Sequence, residues 1–177
     1  MLSICPSLSI QIYDPIQEAR VAQLIRETLT PFDTENHLLA ATFRRVSDLT
    51  QSYSQEGCQL FIARTAEHPD PIGCVGLGTL HSLPLSEGIG EIRDLVVDER
   101  FRQQGVGKKL LDHCLEKARS FGYQRIYLET SKNMKAAQNL FIRKGFKPVT
   151  EVPSGSAGEG EEMPCYFLLE TDLSFEG

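Results

Sequence analysis

The sequence predicts an α/β fold: a mixed central sheet of about six to seven strands with helices on both faces. Three observations lead there. Strand-like runs and helical patterns follow one another along the whole chain. Residues 91 to 110, EIRDLVVDERFRQQGVGKKL, pass from a β-branched run through a polar turn into a glycine-opened helix. The chain has 177 residues of which 41% are hydrophobic, enough for one core, and no linker or internal repeat divides it. One domain over 1–177 is expected.

The elements follow in order. Leu8 to Tyr13 alternates apolar and polar residues and reads as a strand, and Asp14-Pro15 opens a helix over about 15 to 30 with Ile16, Ala19, Leu24, Ile25 and Leu29 inward. A second helical pattern occupies 34 to 55, with Leu38, Leu39, Thr42, Phe43, Val46 and Leu49 on one side. Gln59 to Thr65 and Ile72 to Leu80 read as antiparallel strands, the second bent or bulged by Gly73, Gly76 and Gly78. After the organising strand, a helix over about 105 to 121 buries Val106, Leu110, Leu111, Cys114, Leu115 and Ala118, and Gly122 stops it. Arg125 to Thr130 is a strand, and Asn133 caps a helix that runs to Lys144 and ends at Gly145. Phe146 to Val152 and Pro164 to Thr171 are the last strands, joined by the Gly/Ser/Glu-rich PSGSAGEGEEM, read as a hairpin loop.

A strand feeding a glycine turn that becomes a helix N-terminus gathers backbone N–H groups at one point and adds the positive end of the helix dipole. Gly105 and Gly107 let a phosphate approach that backbone, and Arg102 and Lys108 flank it. Two common phosphate loops are excluded. GxGxxG needs a glycine where Leu110 stands, and GxxxxGK[ST] needs glycine at Arg102 and a hydroxyl residue at Lys109.

What fits is [RQ]-x-x-G-x-[GA], here Arg102-Gln103-Gln104-Gly105-Val106-Gly107, preceded by L-x-V at Leu95 to Val97. In these residues, and downstream through the Asn133 helix to Lys144-Gly145-Phe146, the chain resembles the GNAT family of acetyl-CoA-dependent N-acetyltransferases. The resemblance implies that the central strands splay to form the CoA cleft. It implies acetyl-CoA as co-substrate, held by Leu95, Val96 and Val97, by Arg102, Gln103, Gln104, Gly105, Val106, Gly107 and Lys108 of the loop, and by Asn133 and Phe141. It further implies the Leu95 N–H near the thioester carbonyl, Val97 against the pantetheine arm, and the 34 to 55 region beside the acceptor.

Acetyl transfer from a thioester to an amine needs a neutral amine, a polarised carbonyl and a thiolate able to leave. Glu91 lies four residues before Leu95, on the same face of a period-2 strand, and resembles the position of the base glutamate in some members. It either takes the amine proton or pairs with Arg93. The family commonly places a tyrosine near the CoA sulfur at the position occupied here by Phe141, which has no hydroxyl. Tyr166 and Tyr127 are the substitute acids, or else ordinary half-buried tyrosines.

With 24 acidic and 18 basic residues the net charge is -6, which argues against a general nucleic-acid binder and mildly favours an amine acceptor, a small molecule or a protein amine. No apolar run is long enough to span a membrane and the first ten residues lack an export pattern, so a cytoplasmic protein is expected. Five widely spaced cysteines without a CxxC pair read as reduced thiols, and the four histidines show no ligand spacing, so no metal is expected. Family members are often dimers, which leaves a homodimer open. The sequence predicts an N-acetyltransferase acting by direct attack in a ternary complex; the alternative is a catalytically weak acyl-CoA-binding regulatory or interaction module.

Overall fold

The computed structural model describes residues 7–32, 39–153 and 165–171. Within them one seven-stranded sheet, in the order β1-β2-β3-β4-β5-β7-β6, carries helices on both faces. The strands are β1 (Ser9–Ile12), β2 (Gln59–Arg64), β3 (Gly73–Thr79), β4 (Ile89–Val97), β5 (Arg125–Thr130), β6 (Lys147–Val149) and β7 (Cys165–Glu170). All neighbours are antiparallel except β4 and β5.

On one face α4 (Val106–Ser120) buries Val106, Leu110, Leu111, Cys114, Leu115 and Ala118, the predicted stripe, against Phe61, Val75, Leu77 and Ile92. The helix α5 (Lys135–Arg143) joins that cluster through Phe141. On the other face α1 (Glu18–Leu29), α2 (Ala40–Val46) and α3 (Leu49–Ser52) enclose Val21, Ile25, Val46, Leu49, Ile62, Cys74 and Val96. Gly122 and Gly145 follow their helices at φ 84° and 93°, left-handed terminators as predicted.

Four expectations are corrected. A separate 3-10 turn, Pro15–Gln17, held by the Asp14 carboxylate accepting from the Ile16 N–H at 3.0 Å, precedes α1 and changes its phase. Ile16 is therefore 88% exposed and Ala19 also faces outward, while Val21 takes an inward place. The second helical pattern is two helices, because Asp48 caps a new start by accepting from the Gln51 N–H at 2.9 Å. Asn133 caps nothing: α5 begins after Met134 with no side-chain cap, and exposed Asn133 lies in the preceding turn with its N–H on the Ser131 hydroxyl. The glycine-rich strand β3 is not the one that is bulged, as described below. The expected hairpin loop PSGSAGEGEEM, apart from Pro153, and the residues 34–38 of the second helical pattern lie outside the described residues.

Candidate active site

The parallel pairing of β4 with β5 runs from Ile89 opposite Arg125 to Ile92 opposite Leu128 and then stops, although β4 continues to Val97 and β5 to Thr130. The backbone of Arg93 to Val97 thus has no β5 partner on that side, which frees hydrogen-bonding groups for a ligand. Open α/β sheets bind ligands at such carboxyl-end crevices. Thr130 Oγ1, buried at the same opening, has no hydrogen-bond partner among the described residues.

The loop leaving β4 leads directly to the start of α4. Gly105 occupies the position before the helix at φ 80°, a conformation suited to glycine, and its carbonyl accepts the first helical bond, from the Lys109 N–H at 3.0 Å. The N–H groups of Val106, Gly107 and Lys108, in the first turn of the helix, have no acceptor further back in it, so they are open to an anion. Around Gly107 the end of β4 and α5 converge: a Cβ there would stand 3.6 Å from Val97 and 3.5 Å from Leu140. Arg102 donates from Nε to the Val97 carbonyl at 3.2 Å, tying the loop to the strand end. Gln104 bonds the Arg100 carbonyl at 3.1 Å, and Gln103 is exposed at φ 60°. Lys108 is turned along its helix to Asp112 at 3.0 Å, and Lys144 of the α5 terminus meets the same carboxylate. Burial acts to raise the Asp112 pKa, but the bonds from Lys144 and Lys108 outweigh it and the net direction is downward.

The bulge lies in β4, not in β3. Gly76 pairs with Arg93 and Cys74 with Val96, so Val75 stands opposite two residues, Asp94 and Leu95. Asp94 has φ 54°, and its fully buried carboxylate receives Arg45 Nε at 3.1 Å, Arg45 Nη2 at 2.8 Å and the Tyr53 hydroxyl at 2.5 Å. The bulge reverses the alternation of side chains. Ile92, Leu95 and Val97 face the α4 side, whereas Tyr53, Cys74 and Val96 belong to the cluster under α1. Glu91, flanked by Arg93 on that second side, therefore does not share a face with Leu95 as strict alternation predicted.

The bulge also orients one backbone donor. The Asp94 carbonyl accepts from the Cys74 thiol of β3 at 3.2 Å, and the peptide bonds among the described residues are all trans. The N–H of a trans peptide points opposite to its C=O, so the Leu95 N–H is directed away from β3, toward the side where β5 has parted. Burial, and after it the Asp94 charge, raises the Cys74 pKa well above its ordinary value, so the thiol keeps its proton.

Gly76 and Gly78 admit side chains over the sheet. The Tyr53 ring covers Gly76, and Arg93 covers Gly78, donating to the Thr79 carbonyl at 3.3 Å with its guanidinium carbon 5.8 Å from the Tyr53 ring centre. Arg93 Nε approaches Glu91 at 3.6 Å, an ion pair without a hydrogen bond. Glu91 is thus neither firmly bonded nor fully in solvent. Tyr127, opposite Glu91 in register, is buried with Leu80 and Ile89. Tyr166 of β7 stands opposite Glu129 of β5, and burial followed by the Glu129 and Glu91 charges raises its pKa. Phe141 is only 5% exposed, its ring centre 5.9 Å from Phe146 and 6.2 Å from Phe167.

Sequence reasoning missed Arg45, Tyr53, Asp94 and Glu129. One signal was available: the charged pair Arg93-Asp94 interrupts an apolar run that is otherwise a core strand, a local conflict of the kind functional sites carry. Arg45 and Tyr53 lie 49 and 41 residues away from Asp94 and only folding joins them to it.

No group of three His, Cys, Asp or Glu able to hold a metal occurs among the described residues, and none of their helices is long and apolar enough to cross a membrane. The profile of the acetyltransferase (GNAT) family matches residues 22–146. An amino-acid acetyltransferase of Mycobacterium tuberculosis is 36% identical over 89 residues, 50% of this chain and 47% of that protein. The chain spans about half the length of the relatives it matches. Among solved structures, a GNAT-family acetyltransferase from Staphylococcus aureus Mu50 has TM-score 0.77 at 19% identity, covering 93% of this chain and 99% of that one. The yncA protein of Salmonella typhimurium, solved with its cofactor acetyl-CoA, has TM-score 0.68 at 17% identity, covering 94% and 95%.

Proposed function

The chain belongs to the GNAT family of acetyltransferases, and from that premise we propose that it moves an acetyl group from acetyl-CoA to a primary amine by direct attack in a ternary complex. The observation that carries this reading is the junction of two features. The opening where β4 leaves β5 continues, through a loop of eight residues, into the glycine-started N-terminus of α4. A thioester in the opening would have its phosphates at that helix start.

In this reading the N–H groups at Gly105, Val106 and Gly107 hold the pyrophosphate, and Arg102, Gln103, Gln104 and Lys108 border it. Val96 and Val97 flank the pantetheine arm, with Phe141 beneath and Asn133 at the rim. The Leu95 N–H polarises the thioester carbonyl. Glu91 removes one proton from the incoming ammonium, the neutral amine forms the C–N bond as the C–S bond breaks, the nitrogen gives its second, surplus proton to solvent, and the CoA thiolate leaves. Tyr166 or water returns a proton to the sulfur. Two acidic residues near the opening, Glu91 and Glu129, suit a cationic amine.

Thiol release from acetyl-CoA over a broad amine panel tests the proposal. Turnover with at least one amine is expected. Tight CoA binding without turnover on any amine would favour the acyl-CoA-binding module, a reading to which the missing hydroxyl at Phe141 lends some weight.

A further inference from the structure

We propose that Asp94 is a positioning residue: by tying the bulge of β4 to Arg45 and Tyr53, it holds the Leu95 N–H in place for the thioester carbonyl. The inference rests on the acetyl-CoA reading above.

Asp94 and Leu95 share one planar peptide group, so whatever fixes the Asp94 carbonyl fixes the Leu95 N–H. That group is held from two directions. Cys74 donates to the Asp94 carbonyl from β3, and three donors from α2 and the residue after α3 meet the Asp94 carboxylate. The backbone at Asp94, φ 54°, is one that side-chain-bearing residues seldom adopt, and such conformations persist where the surroundings over-determine them. Here the surroundings are a fully buried carboxylate with an Arg45 fork on both oxygens.

The rest of the sheet is arranged to admit the clamp. Tyr53 reaches Asp94 only by lying across β3, where Gly76 leaves the space. A purely structural ion pair would not have to be placed at the one bulge of β4, one residue before the backbone donor. The arrangement also links α2 and α3 to that donor, so that these helices and the carbonyl-polarising N–H form one rigid unit.

The test compares acetyl-CoA with S-ethyl-CoA, a thioether that lacks the carbonyl, by calorimetry on the full chain, alongside turnover. Asp94→Asn keeps the side-chain size and a residue tolerant of positive φ while removing the charge. Wild type is expected to prefer acetyl-CoA by about fivefold, the worth of one hydrogen bond. In Asp94→Asn that preference should vanish with S-ethyl-CoA affinity unchanged within about twofold, and kcat should fall by about tenfold or more, toward the loss seen when an oxyanion donor is removed. Tyr53→Phe, which removes one of the donors and leaves the ring over Gly76, should lose part of both, and decides the matter alone if Asp94→Asn does not fold. Folded variants that keep the preference and kcat while melting earlier would overturn the proposal. Equal binding of both analogues by wild type would overturn it too and leave the acetyl-CoA reading standing; absence of any CoA binding would sink both.

Discussion

The Tyr53 hydroxyl lies 1.9 Å from where a Cβ on Gly76 would stand, so the glycine in β3 and the tyrosine after α3 occupy one space between them. Gly76→Ala must displace the ring, and with it the Tyr53 bond to Asp94. Overpacking together with the loss of a hydrogen bond to a charged group predicts destabilisation on the order of 3 kcal/mol. Urea denaturation checks this, and a change under 1 kcal/mol would mean that the ring has another place to lie.

Gly107 and Gly105 separate folding from binding. A Cβ on Gly107 would make ordinary contacts with Leu140 and Val97, so Gly107→Ala should melt close to wild type. Its CoA affinity should drop about tenfold, since the methyl narrows the space between the end of β4, α5 and the first helical N–H groups. Gly105→Ala has room for the methyl but must hold φ 80°, and should cost stability of about 1 kcal/mol as well. Calorimetry showing unchanged affinity in folded Gly107→Ala removes the phosphate-loop assignment.

Glu91→Gln should lower turnover at neutral pH and shift the rate profile to alkaline pH, where the amine no longer needs a base. The loose 3.6 Å contact with Arg93 allows Glu91 this role. An unchanged profile with a lower melting temperature would make Glu91 a structural partner of Arg93.

Glu129 is exposed on β5, yet desolvation by the groups around its carboxyl, and after it the Glu91 charge, raises its pKa. The folded chain thus binds the Glu129 proton more tightly than the unfolded chain, so this group makes stability fall as pH rises from the ordinary carboxylate range through the raised pKa. Glu129→Gln removes the ionisable group. Its melting temperature should exceed that of wild type at pH 7, and the difference should shrink to nothing below about pH 4, where the carboxylate is protonated in both states. A difference that is constant with pH would refute the assignment.

Phe141→Tyr adds a hydroxyl to a ring packed on Phe146 and Phe167, which costs about 1–3 kcal/mol where the hydroxyl finds no partner. Its rate should change less than about tenfold while Tyr166→Phe lowers turnover, because a CoA thiolate leaves tolerably without acid help. A hundredfold gain on restoring the hydroxyl would show that no other group protonates the sulfur.

Much of this protein is written in local sequence. The α4 stripe from Val106 to Ala118, the strand Arg125–Thr130, the terminators Gly122 and Gly145 and the Gly105 turn each depend on periodicity or backbone freedom within a few residues. The fold and the family followed from them. What tertiary structure alone decided is the interior of the site. Two-residue alternation placed Glu91 and Leu95 on one face, but a single inserted residue at Asp94 reverses the faces, and that insertion is stable only because Arg45 and Tyr53 arrive from distant sequence to satisfy its charge. Gly76 and Gly78 likewise looked like weak points of a strand. Their reason is the side chains of Tyr53 and Arg93 lying over them, a steric fact between residues far apart in the chain that no local pattern carries.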